Sequence, residues 1–438
     1  MRISFIGLGK LGLCSAACFA AKGHSVIGVD SNPAVLETLR ARRSPIEENG
    51  LEDLLARAWD NLSCEEDAAD AVSRTDVTMI IVPTPSLEDG SFATGYVETV
   101  LRQIAPVLTV KRGFHVVDVV STVMPGACEQ TFIPLLERLT GKTRGRDFGF
   151  VYNPEFIALG SVIRDFLHPD IVLIGATDER SGNIVREVYA STVESEPRYA
   201  MMSLINAEIA KLSLNCFVTM KISFANELAA LCEKIPGADV DAVSDALGAD
   251  SRVGRKYLKG GLGFGGPCFP RDNLAFQAAG RIFGYKPLLS PQVVAVNRAV
   301  PERIFAHILS SIPANAPVAL LGLSYKRDTH IVEESQAVML AEKLLSEGFT
   351  VRLYDPRALE AVRKRLGESA VYCSSPYEAA EGAACIALLA DDPEFAAFDW
   401  PRFERAAMPG ALLFDAWRVL RGRDIGNFTY LPLGMGIR

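Results

Sequence analysis

Residues 1–30 read MRISFIGLGKLGLCSAACFAAKGHSVIGVD, and this stretch decides the fold. A short apolar run, Ile3 to Ile6, meets Gly7-x-Gly9-x-x-Gly12; an alanine-rich helical segment follows, and a second apolar run ends at Asp30. Strand, glycine turn, helix and strand in that order match a dinucleotide-binding unit. Gly7 makes the turn, Gly9 admits a pyrophosphate to the helix N-terminus, and Gly12 lets helix and strand pack closely. Asp30 lies where a carboxylate accepts from a ribose 2′-hydroxyl and repels a 2′-phosphate, so NAD is expected rather than NADP. Arg2 ahead of an apolar stretch with Ala16, Ala17 and Cys18 invites a rival reading as a secretion signal. The glycines, Lys10 inside the run and the ordered strand pattern argue against it.

The alternation continues outward to about residue 195. Apolar runs at 25–30, 77–82, 115–120, 149–152 and 171–175 are separated by helical stretches such as 94–107 and 179–191, the pattern of a doubly wound parallel sheet. Ligands of such sheets bind beyond the carboxyl ends of the strands. That directs attention to Pro83-Thr84-Pro85, Ser121-Thr122-Val123 and Asn153-Pro154-Glu155.

From about 200 to 235 one long helical pattern runs without glycine or proline. It is apolar around much of its circumference, as expected of a spine that pairs with a second subunit. Lys211 and Asn215 are four apart and share a face. Beyond the spine, Gly263 to Asp272 read GFGGPCFPRD, a lone Cys268 in a glycine-bracketed loop four residues before an acid. Such a loop admits a ligand closely, and a nucleophilic thiol needs that exposure. A tight turn with an incidental buried cysteine reads the same in isolation; the dinucleotide motif tips the balance toward chemistry.

Pro/Ala-rich IPANAPV around 313–318 marks a linker, after which the alternation restarts: VALLGLSYK, a helix over 335–348, VRLYDP, and strands at 384–390 and 411–415. The glycine fingerprint is replaced here by Gly322-Leu323-Ser324-Tyr325-Lys326, so this unit is not expected to bind NAD. Lys326 at a strand end suits a nucleotide diphosphate. The expected architecture is α/β: two Rossmann-like doubly wound domains, 1–198 and 313–438, joined by a helical dimerisation domain over 199–312 that carries the cysteine loop.

The 438 residues carry a net charge of −8 with no long Lys/Arg run, which disfavours nucleic acid and anionic membrane as partners. No stretch is apolar enough to span a bilayer. The nine cysteines lack metal-ligand spacing, so no metal is expected, and a reducing cytoplasm is the expected compartment.

Two Rossmann-like units, a helical spine and the cysteine loop together resemble the UDP-glucose/GDP-mannose dehydrogenase family over essentially the whole chain. The loop is similar to that family's GFGGSCFPKD, with Pro267 for Ser and Arg271 for Lys. The resemblance implies NAD-dependent four-electron oxidation of a nucleotide sugar's C6 alcohol to the acid, using two NAD and one water. It implies Cys268 as nucleophile, with Lys211 and Asn215 stabilising oxyanions. Thr122 and Asp272 would position water, and Glu155 of the NPEF segment would serve acid–base chemistry. Thr84, Thr122 and Arg271 would touch NAD beside Gly7, Gly9, Gly12 and Asp30. The sugar nucleotide would meet Glu155, Lys211, Asn215, Lys326, Gly265 and the loop Tyr257-Leu258-Lys259-Gly260-Gly261. Arg252 resembles an arginine that reaches a neighbouring subunit's site, which implies a homodimer or higher oligomer. UDP-glucose is the expected substrate, with a UDP-N-acetylhexosamine or GDP-mannose as alternatives. A two-electron β-hydroxyacid dehydrogenase and a non-catalytic nucleotide-sugar sensor are the rival classes.

Three departures stand out. NPEFIALG puts Leu159 in place of a second glutamate; THIVEESQ puts Glu333 where an arginine near NAD is expected; and Asp415-Ala416-Trp417-Arg418 shifts the arginine of a DGRN-like segment by one.

Overall fold

The computed structural model describes residues 1–157 and 160–436; Leu159 lies outside them. The chain divides into two compact units, Met1–Ser213 and Leu214–Arg438.

The first unit is built on an eight-stranded sheet. Its strands are β1 (Arg2–Ile6), β2 (Ser25–Val29), β3 (Leu62–Glu65), β4 (Val77–Ile80), β5 (His115–Val119), β6 (Phe148–Tyr152), β7 (Ile171–Ala176) and β8 (Arg198–Met202). Their order is β3-β2-β1-β4-β5-β6-β7-β8. The central strands are apolar on both faces because apolar clusters cover the sheet on each side, one built on Phe5, Phe19 and Phe166, the other on Ile104, Phe132 and Phe150. The strand order reverses between the parallel neighbours β1 and β4, which opens a crevice at their carboxyl ends. The expectation of a wholly parallel sheet needs correction at one edge. Val151 pairs with Ala176 in antiparallel register, so β7 and β8 run against the other six strands.

The second unit holds β9 (Val318–Leu321), β10 (Val351–Tyr354), β11 (Val371–Tyr372), β12 (Cys385–Leu388), β13 (Leu412–Asp415) and β14 (Thr429–Pro432). Their order, β11-β10-β9-β12-β13-β14, repeats the winding of the first six strands, with all pairings parallel.

The expected spine is a helix of 30 residues, Leu204–Glu233, which begins in the first unit and continues in the second. It starts later than the pattern implied, because residues 198–202 form β8. Around Lys211, Leu212 is buried, whereas Ile209 and Leu214 are exposed. Among the described residues no helix is long and apolar enough to cross a membrane.

Candidate active site

The cradle at the carboxyl end of β1 follows from the glycines. Gly7 has φ +102°, and a Cβ there would fall 2.0 Å from the Ile81 carbonyl oxygen. A Cβ on Gly12 would fall 2.0 Å from the Gly7 oxygen, so both positions exclude side chains by sterics. Gly9 differs: nothing lies within 4 Å of where its Cβ would be, directly before the helix that starts at Lys10. That open space is where a pyrophosphate meets helix N–H groups. At the end of β2, Asp30 accepts from the N–H groups of Leu8 and Asn32, both at 2.8 Å. A carboxylate has about four acceptor positions, which leaves room for a ribose diol. These residues fit NAD.

The neighbouring strand ends carry the other polar groups expected of this unit. Thr84, 6% exposed, donates to the Thr122 carbonyl oxygen at 2.7 Å, tying the loops after β4 and β5. Beyond β6, Glu155 accepts from the Tyr189 hydroxyl at 2.6 Å. Lys211 is 7% exposed, donates to the Glu155 carbonyl oxygen at 2.6 Å and lies 4.6 Å from the Phe156 ring centre. Burial pushes the Glu155 carboxyl up to about 7; the Tyr189 hydrogen bond and the Lys211 charge pull the other way and lose. Glu208, which no sequence motif marked, is fully buried and accepts from the N–H groups of Gly126 and Cys128 at 2.6 and 2.9 Å. It pins the segment after Thr122 to the helix that bears Lys211. Its spacing of three from Lys211 was the available signal.

In the second unit Cys268 caps the helix Phe269–Ile282, with Pro270 in the first turn. Nine cysteines are free, and Cys268 is the exposed one. Burial pushes the thiols of Cys14 and Cys216 up to about 12, which keeps them protonated and inert. Cys268 differs from them in standing exposed at the N-terminus of a helix. One turn on, Asp272 is 2% exposed and accepts from the Asn215 side-chain amide at 2.6 Å. Arg271 sits between Pro270 and Asp272 in the first turn of that helix. The loop ahead of Cys268 is held by side-chain amides: Asn226 accepts from Gly261 N, Gln336 from Gly263 N and Asn297 from Phe264 N. Gly266 N donates to the Glu333 carbonyl oxygen at 2.9 Å, so the segment with Glu333 braces the cysteine loop through its backbone.

A cavity of about 320 Å³ lies in this unit. It collects Tyr257, Lys259, Gly265 and Lys326 as expected, together with Phe264, Tyr325, Asp391 and Trp417, to which the sequence pattern assigned no contact. Two expected contacts fall elsewhere. Leu258 is buried behind the wall, 2% exposed, and Gly261 sits under the Trp417 ring. Arg252 does not line the cavity either; it is exposed and paired with Asp250 at 2.6 Å.

Comparison with known proteins agrees over the whole chain. The NAD binding domain of the UDP-glucose/GDP-mannose dehydrogenase family matches residues 1–193, its central domain residues 205–299, and its UDP binding domain residues 319–422. The UDP-glucose 6-dehydrogenase AglM of Haloferax volcanii is 36% identical over 428 residues, covering 97% of this chain and 98% of the relative. GDP-mannose 6-dehydrogenase of Pseudomonas syringae pv. tomato is 36% identical over 360 residues, 81% of each chain. The solved structure of a UDP-glucose dehydrogenase from Pyrobaculum islandicum superposes with a TM-score of 0.88 at 35% identity, covering 98% of this chain and 96% of that one.

Proposed function

Because the chain belongs to the UDP-glucose/GDP-mannose dehydrogenase family and is an NAD-dependent nucleotide-sugar dehydrogenase, we propose that it oxidises UDP-glucose at C6 to UDP-glucuronate. The observation that carries this reading is Cys268. It is the exposed thiol, at a helix start, one turn from a buried Asp272–Asn215 pair, and the next residue lines a cavity that also holds Lys326.

NAD supplies the hydride acceptor, one molecule for each of the two oxidations at C6. Between them Cys268 Sγ adds to the C6 aldehyde, which keeps that reactive group from escaping. The product of the second oxidation is a thioester on Cys268. Water adds to its carbonyl carbon, and the C–S bond breaks to release the carboxylate and the thiol. Asp272 and Thr122 position that water, and Glu155 takes its proton. Lys211 and Asn215, one turn apart on one helix, stabilise the oxyanions; each such donor contributes about 3–4 kcal/mol to a transition state.

Oxidation of GDP-mannose is the second reading, favoured by the match to GDP-mannose 6-dehydrogenases, with a UDP-N-acetylhexosamine as the further alternative. The test is NADH release from UDP-glucose, GDP-mannose and UDP-N-acetylhexosamines. Two NADH per UDP-glucose is the expected result. One NADH per substrate, or preference for another sugar nucleotide, overturns the assignment.

The active unit is at least a homodimer. Phe217, Phe224 and Leu231 are exposed on the long helix at spacings of seven, an apolar seam suited to a second copy. Arg252, exposed and not among the residues that line its own chain's cavity, would serve the partner's site. Mixing inactive Cys268→Ser chains with inactive Arg252→Ala chains should restore activity, since a mixed dimer contains one site with both residues. No rescue despite subunit exchange, or a fully active monomer in sedimentation, defeats the shared site.

A further inference from the structure

The shifted arginine of Asp415-Ala416-Trp417-Arg418 has a structural consequence. Arg418 adopts φ +60° and turns inward; its side chain is 0% exposed. The guanidinium binds both oxygens of Asp241 at 2.7 and 2.9 Å and donates to the carbonyls of Gly260 and Leu433, each at 2.7 Å. It is fully engaged in bracing the loop that precedes the cysteine. Trp417 takes the place on the cavity wall.

The indole is held in one position. Its Nε1–H donates to the Leu389 carbonyl oxygen at 3.1 Å. Its six-membered ring fills the space over Gly261, where a Cβ would come within 2.5 Å. Lys259 Nζ stands 5.6 Å from the ring centre and is paired with Asp391 at 2.8 Å. A ring so fixed loses little conformational freedom when a flat ligand covers it. The cavity also has a direction. Phe269 lines it and directly follows Cys268, so the sugar's reacting carbon belongs at that end, whereas Trp417, Leu389 and Asp391 come from the carboxyl ends of β12 and β13.

We propose that Trp417 is the platform on which the nucleobase of the substrate stacks, the Lys259–Asp391 pair closing its rim. This rests on the nucleotide-sugar reading above. It makes Trp417 a residue that governs affinity for the nucleoside half of the substrate and leaves the phosphorylated sugar half alone.

The chain has three tryptophans, Trp59, Trp400 and Trp417, so the test is optical. UDP should quench the intrinsic fluorescence of the full chain. Trp417→Phe should remove that quench while holding UDP affinity within about threefold, because a phenyl ring still stacks. Trp417→Ala should weaken UDP binding by about tenfold to a hundredfold, the usual cost of losing one aromatic–base stack, and change the affinity for glucose 1-phosphate by less than about twofold. Equal losses for UDP and glucose 1-phosphate would make the ring a general prop of the wall and overturn the proposal. So would a quench that persists in Trp417→Phe, a readout that stands even if the alanine variant fails to fold. A wild-type chain that releases NADH from a nucleotide sugar while the Trp417 variants bind UDP normally sinks the platform alone. A wild-type chain that neither binds UDP or GDP nor oxidises any nucleotide sugar sinks the substrate reading with it.

Discussion

The two Rossmann-like units are wound in the same order and begin with nearly the same three residues, Gly7-Leu8-Gly9 after β1 and Gly322-Leu323-Ser324 after β9. Both opening glycines have positive φ, +102° and +87°, and in both units an acid at the end of the next strand accepts from the leucine N–H. Past the turn the two diverge. In the first unit the helix starts at Lys10, immediately after the glycine turn. In the second it starts at Gln336, capped by Ser335, and a loop of more than ten residues separates the turn from the helix. The acids differ in the same sense. Among the described residues Asp30 accepts from two backbone N–H groups, whereas Asp355 accepts from four, those of Leu323, Ser324, Arg357 and Ala358. One unit keeps acceptor capacity on its acid beside an open helix start, and the other spends that capacity on its own backbone. A shared winding therefore says little about a ligand; the third residue of the turn and the saturation of one carboxylate say much more.

The largest expected effect comes from making the first turn like the second. Gly9→Ser places a side chain in the open space kept for the pyrophosphate, so the KM for NAD should rise on the order of a hundredfold. Folding should not suffer. Gly9 has φ −67° and ψ −171°, open to any residue, and serine is a favoured helix N-cap. NADH titration beside a thermal melt checks this. Unchanged cofactor affinity would mean that the open space at Gly9 is not the cofactor's.

A smaller effect should separate the two acids. Asp30→Ala should reduce kcat/KM for NAD about tenfold and erase discrimination against NADP, with a smaller loss of stability than Asp355→Ala because fewer backbone donors lose their acceptor. Asp355→Ala should leave the KM for NAD alone and destabilise the fold by about 3 kcal/mol, because backbone donors in a buried turn lose their acceptor. Parallel cofactor kinetics and denaturant unfolding would show it. If Asp355→Ala altered NAD affinity, or Asp30→Ala destabilised as much, the contrast between the units would fail.

How much of the molecule was legible in the sequence depends on which signals are local. The glycine turn, Asp30 and the cysteine loop are written in consecutive residues, and the pairing of Asn215 with Asp272 joins two segments that the resemblance had already marked. Strand direction is not local. The apolar periodicity of 171–175 is the same whichever way the strand runs, so the antiparallel β7 left no trace. Edge strands such as β3, LSCE, and β14, TYLP, are short and carry little alternation. The cavity wall was obscured for a finer reason. Whether Trp417 or Arg418 faces the ligand depends on a left-handed backbone at Arg418 and on Asp241, far away in sequence. Glu208 was hidden similarly, since its partners are backbone N–H groups in another segment.

The smallest effect concerns acids farther along each sheet. Asp415, at the end of β13, is fully buried and accepts from Trp417 N, Leu420 N and the Tyr430 hydroxyl. Glu155, just beyond β6, has the Tyr189 hydroxyl on its carboxylate, and burial raises it from an ordinary 4.5 to about 7. If ionised Glu155 takes the proton from water, the rate should rise with pH through about 7 and level off above it. A group with that midpoint goes from about a tenth to about nine-tenths ionised between roughly pH 6 and 8, so kcat should change about tenfold. Stability should move oppositely. The folded chain holds this proton more tightly than the unfolded one, so the Glu155 contribution is full below about pH 4.5 and declines as pH rises to about 7. Glu155→Gln should lower kcat, flatten the limb near pH 7 and remove that part of the loss in Tm. Asp415→Asn should leave the midpoint of the limb where it was. A limb that survives in Glu155→Gln assigns the proton transfer to another group and leaves Glu155 as the anchor of Tyr189.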